Sequence, residues 1–183
     1  MRLIAGKYRG RRLNTPPSSH IRPTTDRMRE TLFNLLQNSI GLDFEGLHVL
    51  DAFAGTGALG LEALSRGAER VIFADSDKRS LALVRENIRL LKAEEQCRCL
   101  GIDALRLPAP DVPFGLVFLD PPYHKGLIRP TIDNLLNKSA LADDCLVVAE
   151  CAHDEDPDFP PELEEISSRT YGDSKITILK FNN

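Results

Sequence analysis

The sequence predicts an α/β fold with a mainly parallel sheet and helices on both faces, and three observations carry that reading. From Leu47 onward, apolar runs of strand character alternate with runs of helical period, and alternating units of this kind bury their faces by forming a parallel sheet covered with helices. A glycine-rich turn, Gly55-Thr56-Gly57-Ala58-Leu59-Gly60, joins the first of those strands to the helix after it. Finally, Asp51, Asp75, Asp103 and Asp120 stand at the ends of four successive strand-like runs, the edge at which open α/β sheets bind their ligands. A chain of 183 residues suffices for one domain with a substantial core.

The elements follow in order. MRLIAGKYRGRRL carries Tyr8 between Gly6 and Gly10 and predicts a small basic hairpin. NTPPSSHIRP, 14–23, is a proline and serine break. Residues 1–20 are therefore expected to be hairpin and linker, and residues 21–183 the main domain. Asp26 opens a helix whose Met28, Leu32, Leu35, Leu36 and Ile40 share one apolar face. LHVLDAF is a strand, LGLEALSRG a helix that stops at Gly67, and RVIFADS a strand. KRSLALVRENIRLLKA places Leu81, Val84, Ile88 and Leu91 on one helical face. CRCLGID and FGLVFLD read as strands, Leu127 to Leu136 as a helix, and CLVVAEC as a further strand. Beyond the acidic DEDPDFPPELEE, the runs ISSRTY and SKITILKF flank Gly172 and Asp173, which predicts a terminal antiparallel hairpin.

Composition narrows the function. With 42% hydrophobic and 27% charged residues and no long apolar run, the chain is expected to be globular, with no membrane span. Its first residues have no apolar leader core, so the expected location is the cytoplasm. Cys97, Cys99, Cys145 and Cys151 include no C-x-x-C pair, and the four histidines are scattered. Reduced thiols and no metal site are expected. Residues 1–30 hold eight Lys and Arg against Asp26 and Glu30, a balance of +6, which leaves −10 for the rest of a chain whose total is −4. A basic arm on an acidic body is the electrostatic footprint of a polyanion ligand. Lys7, Arg9, Arg11 and Arg12 are the candidate phosphate contacts.

The glycine turn satisfies the G-x-G-x-x-G spacing of a dinucleotide site, so an NAD-dependent oxidoreductase is a serious reading. Asp51 opposes it. A pyrophosphate would dock on the amides at the helix start, where a carboxylate in the same turn repels it. A cofactor with a cationic amino group and a sulfonium, S-adenosylmethionine, would instead gain from that acid. Ala54, Gly55 and Gly57 would let the backbone approach its methionine moiety. Asp75 would accept from the ribose hydroxyls, and Asp103 with the Ala104 backbone would accept from the adenine amino group.

LDPPYHKG, residues 119–126, completes the constellation. Pro121 and Pro122 forbid both helix and sheet ladder, which leaves a stiff acceptor array between Asp120 and Tyr123. An exocyclic amine on a nucleobase is a poor nucleophile because its lone pair is delocalised into the ring. Acceptors on its two N–H bonds, the Asp120 carboxylate and the Pro121 carbonyl, would draw that lone pair toward a methyl donor while Tyr123 stacks on the base.

With these residues the sequence resembles the class I amino-methyltransferases, and more closely the RsmD family of 16S rRNA guanine-N2 methyltransferases. The likeness runs through GKYRGRRL, IRPTTDRMRETLFN, DAFAGTGALGLEALSRGA and DPPYHKGL. It implies a Rossmann-like seven-stranded sheet, S-adenosylmethionine as donor, and a guanine of 16S rRNA as acceptor, either in naked RNA or within the assembled small ribosomal subunit. It also implies that Arg22 and Thr24 lie against the cofactor. Adenine-N6 methylation of nucleic acid, dinucleotide-linked oxidoreduction and non-catalytic RNA binding stand as the alternative readings.

Overall fold

The computed structural model describes residues 1–16 and 26–182. Seven strands form one sheet: β1 His48–Asp51, β2 Arg70–Asp75, β3 Cys97–Gly101, β4 Phe114–Leu119, β5 Leu141–Ala152, β6 Leu163–Tyr171 and β7 Ser174–Phe181. Their spatial order is β3-β2-β1-β4-β5-β7-β6. The first five are parallel, while β7 runs antiparallel between β5 and β6. The expected mainly parallel sheet with a terminal antiparallel hairpin is thus the observed one. The helices are α1 Asp26–Asn34, α2 Ala58–Ser65, α3 Lys78–Leu91 and α4 Ile128–Asn137.

Both faces of the sheet are buried, so its inner strands are apolar at consecutive positions rather than alternate ones. Leu116 and Phe118 of β4 join the core formed with α1, α2 and α3. Val117 and Leu119, one residue out of phase, join the opposite core with Ile128, Ile132 and Leu135 of α4. The N-terminal hairpin belongs to the first core: Leu3, Tyr8 and Leu13 are buried there, and its arms meet at an antiparallel bridge between Arg2 and Arg12.

Three elements differ in detail from expectation. The helix from Asp26 does not run evenly to Ile40. It passes at Leu35 into a π-helical turn, Leu35–Ser39, closed by the Ile40 amide on the Leu35 carbonyl at 3.0 Å. Strand β5 begins earlier than its apolar run, because the register shifts between Phe114 and Leu116. The extra residues there include Asp144 at φ 62°. A second shift, between Glu165 and Ser167, leaves Ile166 exposed. Bulges of this kind are set by cross-strand pairing and leave little local sequence mark.

Candidate active site

The carboxyl ends of β1, β2 and β4, with the loop after β3, surround a cavity of about 1190 Å³. Its wall includes Gly55, Asp75, Asp103, Ala104, Asp120, Pro121, Pro122 and Tyr123. A parallel sheet delivers these residues together because each strand ends at the same edge. A smaller cavity of about 330 Å³ lies beside it and shares Pro121, Pro122, Tyr123 and Glu150.

The glycine turn is organised by two acids. Gly57 has φ 77° and caps α2. A Cβ there would press on Val84 and Phe73, and one at Gly60 would come 2.4 Å from the Phe73 ring. Asp75 accepts from the Gly55 amide at 3.0 Å through one oxygen and from the Asp77 amide at 2.8 Å through the other. It therefore braces the turn from the cavity wall and keeps lone pairs for a hydroxyl ligand. Ala54 is buried, with its amide on the Ala74 carbonyl.

Asp51 lies beneath this turn rather than on the cavity wall. It is 2% exposed and accepts from the Gly60 amide at 3.0 Å. Burial, with a smaller contribution from Asp75, pushes its carboxyl from 3.8 up to about 7 against the opposing pull of the Gly60 N–H. The first turn of α2 is thus already satisfied by an internal carboxylate. An arriving pyrophosphate would find that donor taken. Among the described residues, the wall carries Asp75, Asp77, Asp103, Asp120 and Glu150 against the single cation Arg27, a lining suited to a cationic donor with hydroxyl and amino groups.

The Asp120–Tyr123 segment holds the opposite wall. Burial, and then the charges of Glu150 and Asp51, raise the Asp120 carboxyl well above the usual carboxylate range. The Tyr123 hydroxyl lies 2.6 Å from Glu150 Oε1, to which it donates, and 2.6 Å from Ser174 Oγ. The loop beyond is tied down as well: the His124 amide donates to Glu155 Oε1 and the Ala152 amide to Glu155 Oε2, each at 2.9 Å.

Lys7, Arg9, Arg11 and Arg12 are exposed on the hairpin and line neither cavity. Arg22 and Thr24 fall outside the described residues. Sequence reasoning misses several wall residues: Arg27, Met28 and Thr31 of α1, Phe53, Ser76, Ser80, Glu150, Tyr171 and Ser174. Glu150 has a usable signal, since it follows the apolar run CLVVA as Asp120 follows FGLVFL. Tyr171 and Ser174 have none, because the antiparallel hairpin brings them in from the far end of the chain.

A family model described as conserved hypothetical protein 95 matches residues 1–180. The chain belongs to this family, the RsmD family. The Escherichia coli K12 relative named ribosomal RNA small subunit methyltransferase D is 42% identical over 151 residues, 82% of this chain and 74% of that protein. Its namesake from Haemophilus influenzae is 37% identical over 176 residues, covering 94% and 89%. The solved Escherichia coli protein yhhF aligns with a TM-score of 0.87 and 34% identity over 100% of this chain and 98% of its own. As an RsmD-family member the protein is a methyltransferase, and that chemistry implies a donor of the S-adenosylmethionine type.

Proposed function

We propose that the protein transfers a methyl group from S-adenosylmethionine to the exocyclic N2 of a guanine in 16S rRNA of the small ribosomal subunit, in the cytoplasm. The observation that carries this reading is the placement of the rigid Asp120-Pro121-Pro122-Tyr123 segment on the wall of an acid-lined cavity built around the glycine turn. The donor would supply an electrophilic methyl carried on a sulfonium. Asp75 and Asp103 would hold its hydroxyl and amino groups, while the ionised form of Asp51 would favour its positive charge from beneath the turn. Asp120 and the Pro121 carbonyl would accept from the two amine hydrogens of the target base, with proton loss to Asp120 accompanying or following transfer. Tyr123 would stack on the base after it leaves the helix.

The competing readings meet specific obstacles. The Asp51 carboxylate on the Gly60 amide opposes a dinucleotide pyrophosphate. A non-catalytic RNA-binding protein has no use for this array of acids. Adenine N6 is the nearer rival, since the Asp-Pro-Pro-Tyr array suits either amine; the names borne by the relatives favour ribosomal RNA of the small subunit. The test supplies labelled S-adenosylmethionine with naked rRNA, small-subunit particles, tRNA and DNA and identifies the product nucleoside by mass. N2-methylguanosine confined to small-subunit RNA is expected, and N6-methyladenosine or an unlabelled RNA refutes the reading. Asp120→Ala should bind donor normally yet transfer on the order of a hundredfold more slowly.

A further inference from the structure

The Asp-Pro-Pro-Tyr segment serves a guanine or an adenine amine equally, so the choice between them must come from another group on the same wall. Strands β4 and β5 are parallel neighbours with Leu119 paired to Ala149. The next residue along each is an acid, Asp120 and Glu150, so their backbones run side by side about 4.8 Å apart. Both acids line the large cavity. Glu150 Oε1 accepts from the Tyr123 hydroxyl at 2.6 Å, while no donor among the described residues holds Oε2. The tyrosine thus anchors one oxygen of the carboxylate and leaves the other to a ligand.

We propose that Glu150 reads the Watson–Crick edge of the target base, its Oε2 accepting the N1–H of guanine. The assignment rests on guanine being the acceptor. In guanine the N2 amine and N1–H are adjacent donors on one edge. A base whose amine lies against Asp120 and the Pro121 carbonyl presents N1–H to the next acceptor round the wall. In adenine the atom beside the N6 amine is an unprotonated N1, whose lone pair would face the carboxylate. An acceptor at this position therefore admits guanine and repels adenine, and a buried polar partner left unpaired is an effective discriminator.

2-Aminopurine keeps the C2 amine but has an unprotonated N1; because it also lacks O6, the change of preference in the Glu150 variants, not the wild-type preference alone, reports this contact. Small-subunit particles carrying either guanosine or 2-aminopurine at the mapped target position are compared by single-turnover methyl transfer. Wild-type enzyme should prefer guanosine by about tenfold or more. Glu150→Gln keeps the size of the side chain and an acceptor for Tyr123, and its amide can donate to an unprotonated N1. Its preference should fall by at least about tenfold. Glu150→Ala should move the ratio in the same direction, and Tyr123→Phe, which leaves the carboxylate in place, should retain it. An unchanged ratio in both Glu150 variants, including equal loss on both bases, overturns the proposal. So does a Tyr123→Phe ratio that falls as far as that of Glu150→Gln, since Glu150 would then act only through the tyrosine. Failure of the guanine reading itself would show separately, as wild-type enzyme that does not methylate the guanosine particle.

Discussion

Asp51 shows how a single side chain connects fold and chemistry. Its carboxyl is held near 7 chiefly by burial, so the folded protein binds a proton that the unfolded chain has released. The sign follows: the stability linked to Asp51 is full below about pH 4 and is lost as the pH rises through about 7. Chemical denaturation at pH 5 and pH 8 should show a fall in stability that is smaller in Asp51→Asn, whose amide oxygen can still accept from Gly60. A variant with the full wild-type fall would place the pH dependence elsewhere. Tyr123 makes a second case. From sequence its role belongs to the ring, and Tyr123→Phe is expected to be mild, but the hydroxyl is held between Glu150 and Ser174. Losing a hydrogen bond to a charged acceptor removes roughly 1.5–3 kcal/mol. Tyr123→Phe should therefore lower stability by about that amount in urea denaturation, with donor affinity by titration calorimetry unchanged. Wild-type stability would return the whole role to the ring.

At the scale of elements, the hairpin and α2 form the unit whose cohesion is hardest to foresee. Glu62, 0% exposed, accepts from the Ile4 amide at 2.8 Å and the Ala5 amide at 3.1 Å, and pairs with Arg66 at 2.9 Å. The Tyr8 amide donates to Ser65 Oγ and the Lys7 amide to the Ser65 carbonyl. The hairpin backbone thus finds partners on α2 that a lone two-stranded ribbon could not provide. Gly6 sits at the tightest point. Its φ is 77°, and a Cβ would lie 1.7 Å from the Ser65 carbonyl oxygen. Gly6→Ala should lower stability by about 2–4 kcal/mol in urea denaturation. Gly10→Ala, at φ 80° but with open space around it, should lose only about 1 kcal/mol from the left-handed backbone. Equal losses at the two positions would mean that backbone conformation, not the approach to α2, decides the matter.

Across the whole molecule, charge is sorted by position. The first 30 residues carry +6 and the remainder −10. Docking on α2 holds the exposed Lys7, Arg9, Arg11 and Arg12 on a fixed surface, whereas the cavity wall is acidic. On the proposed reading, a polyanion would be drawn to the hairpin and a cationic donor to the strand ends. Replacing those four residues with Ala should flatten the slope of log K against log salt by roughly 0.7 to 0.9 for each phosphate no longer neutralised. Donor affinity should not change. An unaltered slope in filter binding across a salt series would show that this surface does not meet phosphate.

Local periodicity and turn chemistry make much of the architecture legible: the strand and helix alternation from Leu47, the terminal hairpin, and the acids at the strand ends all follow from neighbouring residues. The same local logic singles out Asp120 to Tyr123, because two prolines stiffen a backbone wherever they occur. Tertiary structure alone decided which groups meet. Pairing of β4 with β5 sets Glu150 beside Asp120, and the antiparallel return of β7 delivers Ser174 to the Tyr123 hydroxyl. Burial beneath the glycine turn made Asp51 a capping acid with a raised proton affinity. Each of these depends on strand register and on desolvation by distant parts of the chain, and neither quantity is written in the order of adjacent residues.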